Sequence, residues 1–190
     1  MIKNIIFDVG GILFDDSKKN IEKLLNKNCD IIYKLAYGKG FKDCLLGNKT
    51  IDEYIYTMSN YKEFDDIKYI LQKNNLPKSY PLIIENYQYI KSLKEKEFNL
   101  YLLTNITRES FEYVNETIKI DDIFLGGVYS YMEHVVKPDL KIYELIIKKF
   151  NLKKEETIFF DDKEKNVKAA INCGISSFVF KTIDDIKNNI

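Results

Sequence analysis

Polar residues that can do chemistry follow three short apolar segments of this sequence. They are Asp8, the pair Thr104 and Asn105, and the pair Asp161 and Asp162. Apolar runs of this length that end at polar turns are typical of buried parallel strands. Because the carboxyl ends of parallel strands meet at one edge of a sheet, we expect all these side chains to line one crevice.

Carboxylates at the ends of neighbouring buried strands repel one another unless a cation lies between them. Asp8, Asp161 and Asp162 therefore predict a site for a hard, oxygen-coordinated ion. Mg²⁺ suits a site that has few carboxylates and also holds a phosphate. A single aspartate after a strand is more often a solvated helix cap, but the whole set favours the metal site.

Two further features predict that the same edge binds a phosphate. Lys137 precedes Pro138 and Asp139 at the start of a predicted helix, so its ammonium group can balance the carboxylates and hold a phosphate oxygen. Thr104 supplies a hydroxyl group. Asn105 opens another predicted helix, whose free N–H groups form an anion site.

The elements that must position these residues alternate between strand and helix. The predicted strands cover residues 2–9, 100–103, 123–129, 157–160 and 177–180. Predicted helices open at 79–81, run over 107–118, begin at the caps Asp139 and Thr182, and end at Gly174. This alternation predicts an α/β fold with a Rossmann-like, mostly parallel sheet and helices on both faces. Residues 15–78 show helical signals without a strand, including a capping box of Thr50 and Glu53.

The composition is that of a soluble globular protein, since 45% of the 190 residues are hydrophobic and 31% are charged. The 29 basic and 29 acidic residues cancel, which argues against nucleic acid or an anionic membrane as the partner and favours a small molecule. No segment resembles a spanning helix or a signal peptide. The three cysteines show no CxxC spacing. We therefore expect reduced thiols in a cytoplasmic protein that is a monomer or a weak homodimer.

Four short motifs occur in a fixed order along the chain. They are Phe7-Asp8-Val9-Gly10-Gly11-Ile12-Leu13, Leu103-Thr104-Asn105, Val136-Lys137-Pro138-Asp139, and Phe160-Asp161-Asp162-Lys163-Glu164-Lys165-Asn166. With these motifs the chain resembles the haloacid dehalogenase (HAD) superfamily over essentially its whole length. The resemblance implies a HAD-like core over residues 1–14 and 79–190, with a small all-helical cap of residues 15–78 inserted between the first and second motifs.

The resemblance also implies an activity, that of a Mg²⁺-dependent phosphatase acting on a small phosphorylated metabolite. Asp8 resembles the nucleophile that forms an aspartyl-phosphate, and it would also bind the metal. The other implied metal ligands are the Gly10 backbone carbonyl, Asp162 and, directly or through water, Asp161, with Asn166 supporting the metal acid. The implied phosphate ligands are Thr104, the Asn105 backbone and Lys137.

Gly10 departs from the superfamily pattern. Most phosphatases of this superfamily have an aspartate two residues after the nucleophile, which protonates the leaving group and then activates water. Losing such an acid typically costs about 10²- to 10⁴-fold in rate. The Asp-x-Gly pattern also resembles a branch that includes glucose-1-phosphate phosphatases. We therefore favour a substrate that leaves easily, such as an aldose 1-phosphate.

Two other interpretations remain open at this stage. In one, Asp15, Asp16 or His134 replaces the missing acid, although a surface or packing role is favoured for His134. In the other, the chain is a phosphate-binding regulatory or scaffold protein that keeps the fold and turns over weakly. A dehalogenase attacks carbon and needs no metal, so the paired acids of the fourth motif would have no purpose in it.

Residues 15–78 also contain aromatic side chains at helical spacing. They are Tyr33, Tyr37, Phe41, Tyr54 and Phe64. Aromatic residues in this pattern more often pack a small core than line a pocket, so the pattern predicts packing and identifies no substrate-binding residue. Arg108, three residues after Asn105, is predicted to lie on the solvated surface.

Overall fold

A computed structural model describes all residues from 1 to 190. The strands are β1 (Asn4–Phe7), β2 (Asn99–Thr104), β3 (Gly127–Tyr129), β4 (Thr157–Asp161) and β5 (Ser176–Val179). They form one parallel sheet in the order β3-β2-β1-β4-β5. Because β1 lies at the centre, the ends of β1, β2 and β4 are side by side, as the predicted crevice requires.

Helices cover the sheet and fill the long connection that follows β1. Between β1 and β2 lie α1 (Lys18–Leu25), α2 (Asp30–Ala36), α3 (Phe41–Leu45), α4 (Ile51–Tyr56), α5 (Phe64–Leu71), α6 (Leu76–Ser79) and α7 (Ile84–Glu95). After β2 lie α8 (Arg108–Ile118), α9 (Ile120–Ile123), α10 (Ser130–Glu133), α11 (Leu140–Lys149), α12 (Glu164–Asn172) and α13 (Ile183–Lys187). Two short 3₁₀ helices occupy Lys73–Asn75 and Lys154–Glu156. None of the helices combines the length and the apolar composition needed to cross a bilayer.

Both faces of the sheet are buried, which explains why its strands are nearly continuous apolar runs. Successive side chains of a strand point to opposite faces. Along β1, Ile5 and Phe7 join a cluster of 24 buried residues, whereas Ile6 joins a separate cluster of 12 on the other face. The predicted α/β architecture with helices on both faces is therefore confirmed.

The helices from α1 to α5 have a hydrophobic cluster of their own, which contains 12 buried residues. The chain enters and leaves this helical block through two adjacent segments. The Asp15 N–H donates to the Pro81 carbonyl at 2.9 Å, and the Ile83 N–H donates to the Leu13 carbonyl at 2.8 Å. These bonds place the block directly over the carboxyl end of β1.

Two predicted element boundaries are wrong. The helix predicted to open at 79–81 begins instead at Ile84, because Leu82 pairs with Phe14 and keeps this segment extended. The strand predicted over 123–129 covers only Gly127–Tyr129. Its first residue, Ile123, ends the short helix α9, which begins where the side-chain carbonyl of Asn115 accepts the N–H of Ile120. Residues 124–126 connect this helix to β3 without regular structure.

The helix caps predicted from the sequence are confirmed. The box formed by Thr50 and Glu53 opens α4, and a second box of Thr182 and Asp185 opens α13. Asp139 caps α11 through the Lys141 N–H. Gly174 follows α12 with a φ of 78°, in the left-handed region expected of a residue that terminates a helix.

Candidate active site

The structure brings the predicted polar residues together at the carboxyl edge of the sheet. Asp8, Thr104 and Asp161, at the ends of β1, β2 and β4, are all buried, with exposed fractions of 4%, 2% and 0%. A cavity of about 400 Å³ lies between this edge and the helical block. Asp8, Asn105, Lys137 and Asn166 line it.

Lys137 contacts both buried carboxylates of the site. Its ammonium group lies 2.8 Å from Asp8 Oδ2 and 2.6 Å from Asp161 Oδ2, and its side chain is fully buried. It also donates to the backbone carbonyl of Leu103 at 2.8 Å. All three N–H donors of the ammonium group are thus satisfied by the protein. The prediction that Lys137 balances the carboxylates agrees with this geometry.

Asn105 holds Lys137 in place through its side chain. The Asn105 amide donates to the Lys137 carbonyl at 3.0 Å and accepts the Lys137 N–H at 2.7 Å. The sequence pattern suggested only a backbone role for Asn105 at the start of a helix, and this start is wrong. Helix α8 begins at Arg108, because the Thr107 hydroxyl accepts the Ser110 N–H and caps it there.

The two acids of the fourth motif differ in their surroundings. Asp161 is fully bonded: Asn166 donates to both of its oxygens at 2.9 and 3.0 Å, and the Lys163 N–H donates to Oδ1 at 2.8 Å. Asn166 therefore supports Asp161. In Asp162, by contrast, the buried Oδ1 has no hydrogen-bond partner.

Gly11 makes room for Asp162. A Cβ atom at Gly11 would lie 2.6 Å from the Asp162 Cγ, closer than real Cβ contacts, and the φ of 72° is itself unfavourable for other residues. The second glycine of the first motif thus lets the Asp162 carboxylate approach the end of β1. This contact was not evident from the sequence, which indicated only a tight turn.

Burial and neighbouring charges shift the pKa values of the central acids in different directions. Burial favours the neutral form of Asp8, but Lys137 and Lys163 outweigh it, so the pKa of Asp8 lies below its ordinary value. Burial and the charge of Asp8 raise the pKa of Asp161 despite Lys137. Asp8 is therefore ionised at neutral pH, as a nucleophilic carboxylate must be.

The Asp162 Oδ1, which accepts no hydrogen bond and lies 3.8 Å from the Lys163 ammonium group, marks a site that suits a divalent cation. Oxygen atoms of Asp8, Asp161 and Asp162 lie within 4.8 Å of one another. Burial, against the opposing charge of Lys163, raises the pKa of Asp162 to about 6. A half-buried acid whose Oδ1 accepts no hydrogen bond, beside two buried acids, offers the oxygen ligands that Mg²⁺ prefers. The residues present thus fit the metal that the sequence predicts.

Replacing Asp162 with Asn is expected to stabilise the metal-free protein at neutral pH. Because the pKa of Asp162 rises from 3.8 to about 6 on folding, its ionised form destabilises the fold. The cost is absent below about pH 4, grows up to about pH 6 and is then complete. This rise of the pKa corresponds to roughly 3 kcal/mol, which solvent at the partly exposed side chain reduces to about 2 kcal/mol. Urea unfolding of both proteins at about pH 4 and about pH 8, without divalent ions, measures the difference.

Magnesium should reverse this order, because the ion stabilises a folded state that binds it and the variant lacks a ligand. The exposed carboxylate of Asp184 provides the control, since Asp184→Asn should change neither the stability without metal nor the response to Mg²⁺. Equal stabilisation of wild type and Asp162→Asn by Mg²⁺ would contradict the assignment of this site.

Of the three candidates to replace the missing acid, only Asp16 lines the cavity. Its Oδ2 lies 3.1 Å from the position that a Cβ atom would take at Gly10, and 3.4 Å from the Lys163 ammonium group. Asp15 instead accepts the Ser17 N–H at 2.9 Å. His134 Nδ1 pairs with the Leu46 carbonyl at 2.7 Å, which joins the core to the helical block.

The helical block contributes an apolar wall to the cavity that sequence reasoning missed. Tyr33, Tyr37 and Phe41 pack against the cluster of the helical block, as the pattern predicted, but they also line the cavity. Tyr54 and Phe64 do pack in or against the cluster of the helical block. The helical spacing of the aromatic residues could not separate those that line the cavity from those that only pack, since all of them lie on the same set of helices. Arg108 is exposed, as predicted.

Comparison with known proteins adds a family to this geometry. The sequence model for haloacid dehalogenase-like hydrolases matches residues 2–174. A sesquiterpene phosphatase of Aspergillus oryzae is 37% identical over 86 residues, which cover 45% of this chain and 44% of that protein. Drimenol cyclase of Aspergillus calidoustus is 21% identical over 206 residues, which cover 100% of this chain and 36% of that protein. The matched regions thus cover less than half the length of these two curated relatives.

Solved structures share the fold. A HAD-family enzyme of Bacteroides thetaiotaomicron, in complex with magnesium and inorganic phosphate, has a TM-score of 0.73 and 24% identity, with 95% of each chain covered. A predicted HAD-like hydrolase of Porphyromonas gingivalis has a TM-score of 0.74 and 25% identity, covering 99% of this chain and 97% of that one. Both structures therefore share the overall fold of this chain.

Proposed function

Since the chain belongs to the haloacid dehalogenase-like hydrolases, we propose that it is a Mg²⁺-dependent phosphatase that acts through an aspartyl-phosphate on Asp8. The observation that carries the proposal is the buried cluster at the cavity floor. There Asp8 is ionised beside Lys137, and Asp162 keeps a free oxygen. The A. oryzae relative is named a phosphatase, and the B. thetaiotaomicron structure holds magnesium and phosphate, which agrees with this chemistry.

Asp8 performs the covalent step. A carboxylate oxygen of Asp8 attacks phosphorus, the bond from phosphorus to the ester oxygen breaks, and the leaving group departs with the electron pair. Water then attacks the phosphorus of the aspartyl-phosphate, which regenerates the carboxylate and releases inorganic phosphate. Dividing the hydrolysis in this way replaces one difficult displacement with two easier ones.

Lys137, Thr104 and the Asn105 backbone bind the transferring phosphoryl group. Negative charge moves from the Asp8 carboxylate to the phosphoryl oxygens as the new bond forms. The Lys137 ammonium group, which pairs with Asp8 before the reaction, then stabilises the charge on the phosphoryl oxygens. The reciprocal hydrogen bonds between Asn105 and the Lys137 backbone keep the ammonium group oriented during this exchange. Fixed positive charge of this kind is the main aid that phosphoryl transfer requires.

Asp8, the Gly10 backbone carbonyl and Asp162 are the proposed metal ligands, with Asp161 as a further ligand and Asn166 holding Asp161 in position. Magnesium, when bound, supplies positive charge that offsets the repulsion between the carboxylates and the phosphate. The free Asp162 oxygen and the space left by Gly11 support this ligand set.

The proposed substrate is a small phosphorylated metabolite with a good leaving group, such as an aldose 1-phosphate. This follows from Gly10, which provides no acid to protonate the departing oxygen. Aldose 1-phosphates are expected to be hydrolysed with a kcat about tenfold or more above that of the corresponding 6-phosphates, because the anomeric oxygen needs less help from an acid. Phosphate release from glucose 1-phosphate and glucose 6-phosphate measures the ratio, and the reverse order would refute the leaving-group argument.

Asp16→Asn separates this explanation from a substitute acid. If the leaving group alone compensates for Gly10, the variant keeps the wild-type ratio of the two rates. If Asp16 protonates the departing oxygen, the variant loses about 10²-fold or more on the 6-phosphate and much less on the 1-phosphate. The position of the Asp16 carboxylate beside Gly10 makes it the residue to test.

The test of the activity itself is hydrolysis of p-nitrophenyl phosphate with and without Mg²⁺. We expect turnover that is lost in EDTA and restored by excess Mg²⁺. Activity that does not depend on the metal, or that equals the rate of an Asp8→Asn control, would reject the proposal.

A further inference from the structure

The wall of the cavity that faces the active-site edge differs in chemistry from the edge itself. Six apolar or aromatic side chains from residues 21–76 form it, and we refer to them as the cap wall. They are Ile21, Tyr33, Tyr37, Phe41, Leu45 and Leu76. The charged residues of the cavity lie elsewhere, from β1 to α1 and in the segments that follow β3 and β4. The cavity therefore has one charged side and one apolar side.

The aromatic part of the cap wall is a continuous surface. The ring centroids of Tyr33 and Tyr37 are 4.9 Å apart, and those of Tyr37 and Phe41 are 5.1 Å apart. These three residues and Leu45 are half-buried. Tyr33, Tyr37 and Phe41 rest on the hydrophobic cluster of the helical block, with part of each side chain open. Apolar surface that stays open in a concave site favours binding of an apolar group.

The cap wall offers little to a polyhydroxylated ligand. Its only polar atoms are the hydroxyl groups of Tyr33 and Tyr37. Ser79, which also lines the cavity, donates its hydroxyl to the Asn75 carbonyl at 3.2 Å and to the Ile70 carbonyl at 3.5 Å. Sugar hydroxyls buried against such a surface would lose hydrogen bonds to water without replacement, which disfavours them.

We infer that the cap wall is a subsite for an apolar organic group, so that the preferred substrates are phosphate monoesters with an apolar or aromatic body next to the ester oxygen. This inference rests on the proposed phosphatase function and keeps its requirement for a good leaving group, but it replaces the aldose 1-phosphate with an ester that has an apolar body as the preferred substrate. The quality of the leaving group affects kcat, whereas contact with the cap wall affects the affinity for the substrate and therefore KM. Aryl phosphates meet both demands, because a phenolic oxygen leaves more easily than an ordinary alkoxide.

The experiment is a series of 4-alkylphenyl phosphates from methyl to butyl. The alkyl chain lengthens while the leaving group stays nearly the same, so kcat should remain constant. KM should fall by up to about fourfold for each added methylene until the wall is covered. Glucose 1-phosphate should show a higher KM than the butyl ester. A KM that does not change along the series would overturn the inference.

Two matched variants locate the effect. Leu45→Asn replaces a half-buried leucine of the cap wall and should abolish the dependence of KM on chain length. Leu25→Asn alters another half-buried leucine, one that packs against the hydrophobic cluster of the helical block but does not line the cavity, and it should leave the series unchanged. If KM decreased equally with chain length in both variants, the apolar subsite would lie elsewhere and the inference would be refuted.

Binding to Asp8→Asn protein separates this inference from the proposed function. Calorimetry with the same esters gives Kd without any turnover, and Kd should decrease along the series as KM does. A Kd that decreases while the wild-type protein hydrolyses none of the esters would reject the phosphatase and keep the subsite. Hydrolysis of all the esters with an unchanging Kd would reject the subsite and keep the phosphatase.

Discussion

Asp8→Asn is expected to lower the rate of p-nitrophenyl phosphate hydrolysis by about 10⁴-fold or more, since loss of a covalent nucleophile typically costs on the order of 10⁴- to 10⁶-fold. The amide has nearly the same shape as the carboxylate but is a far weaker nucleophile. It also removes the negative charge that faces Lys137 at 2.8 Å. The fold should persist, because the Lys137 ammonium group retains Asp161 and the Leu103 carbonyl as partners.

Asp15→Asn is the matched control for this experiment. Asp15 is an aspartate only seven positions away, its carboxylate accepts the Ser17 N–H, and it does not line the cavity. Its variant should keep activity within about twofold of the wild type. Mass spectrometry after acid quenching provides a second measurement, since a phosphorylated Asp8 peptide should appear in the wild type alone. Equal activity of Asp8→Asn and wild type would favour a phosphate-binding protein with little turnover.

The buried strands were the part of the fold that the sequence predicted well. A strand covered on both faces is an uninterrupted apolar run, and the polar residue that ends it is conspicuous. The strand pattern alone was therefore enough to place Asp8, Thr104 and Asp161 at one edge. These three residues meet because their strands are parallel and adjacent. Errors in helix boundaries, such as the start of α7, therefore did not affect the prediction of the site.

Contacts made by side chains across long sequence distances could not be predicted in this way. Asn105 and Lys137 are 32 residues apart, and their paired hydrogen bonds depend on how two loops meet. The fit of Asp162 against Gly11 is a matter of a few tenths of an ångström, which no pattern encodes. The cap wall was missed because an aromatic residue at helical spacing gives the same signal whether it packs a core or faces a cavity.

Lys137→Met is expected to destabilise the protein by about 3 to 5 kcal/mol, because it leaves the buried carboxylates of Asp8 and Asp161 without their common cation. Both side chains are at most 6% exposed, so water cannot replace the ammonium group. Lys137 contributes to lowering the pKa of both acids, and without it both values rise. The stability gap between wild type and variant should therefore be widest at neutral pH and narrow as the carboxyl groups take up protons in acid.

Lys163→Met is the matched control, since the Lys163 ammonium group pairs with other acids of the same site, Asp16 at 3.4 Å and Asp162 at 3.8 Å, but its side chain is 47% exposed. Its loss should cost no more than about 1 kcal/mol, as for other exposed ion pairs. If Lys137→Met alone fails to fold, adding Asp161→Asn removes one of the two stranded charges and should restore part of the stability in urea unfolding. Equal losses in the two lysine variants would mean that the buried triad does not hold the site together. Recovery of stability in the double variant is the expected result, and it would show that the main role of the Lys137 ammonium group is to balance the two buried carboxylates.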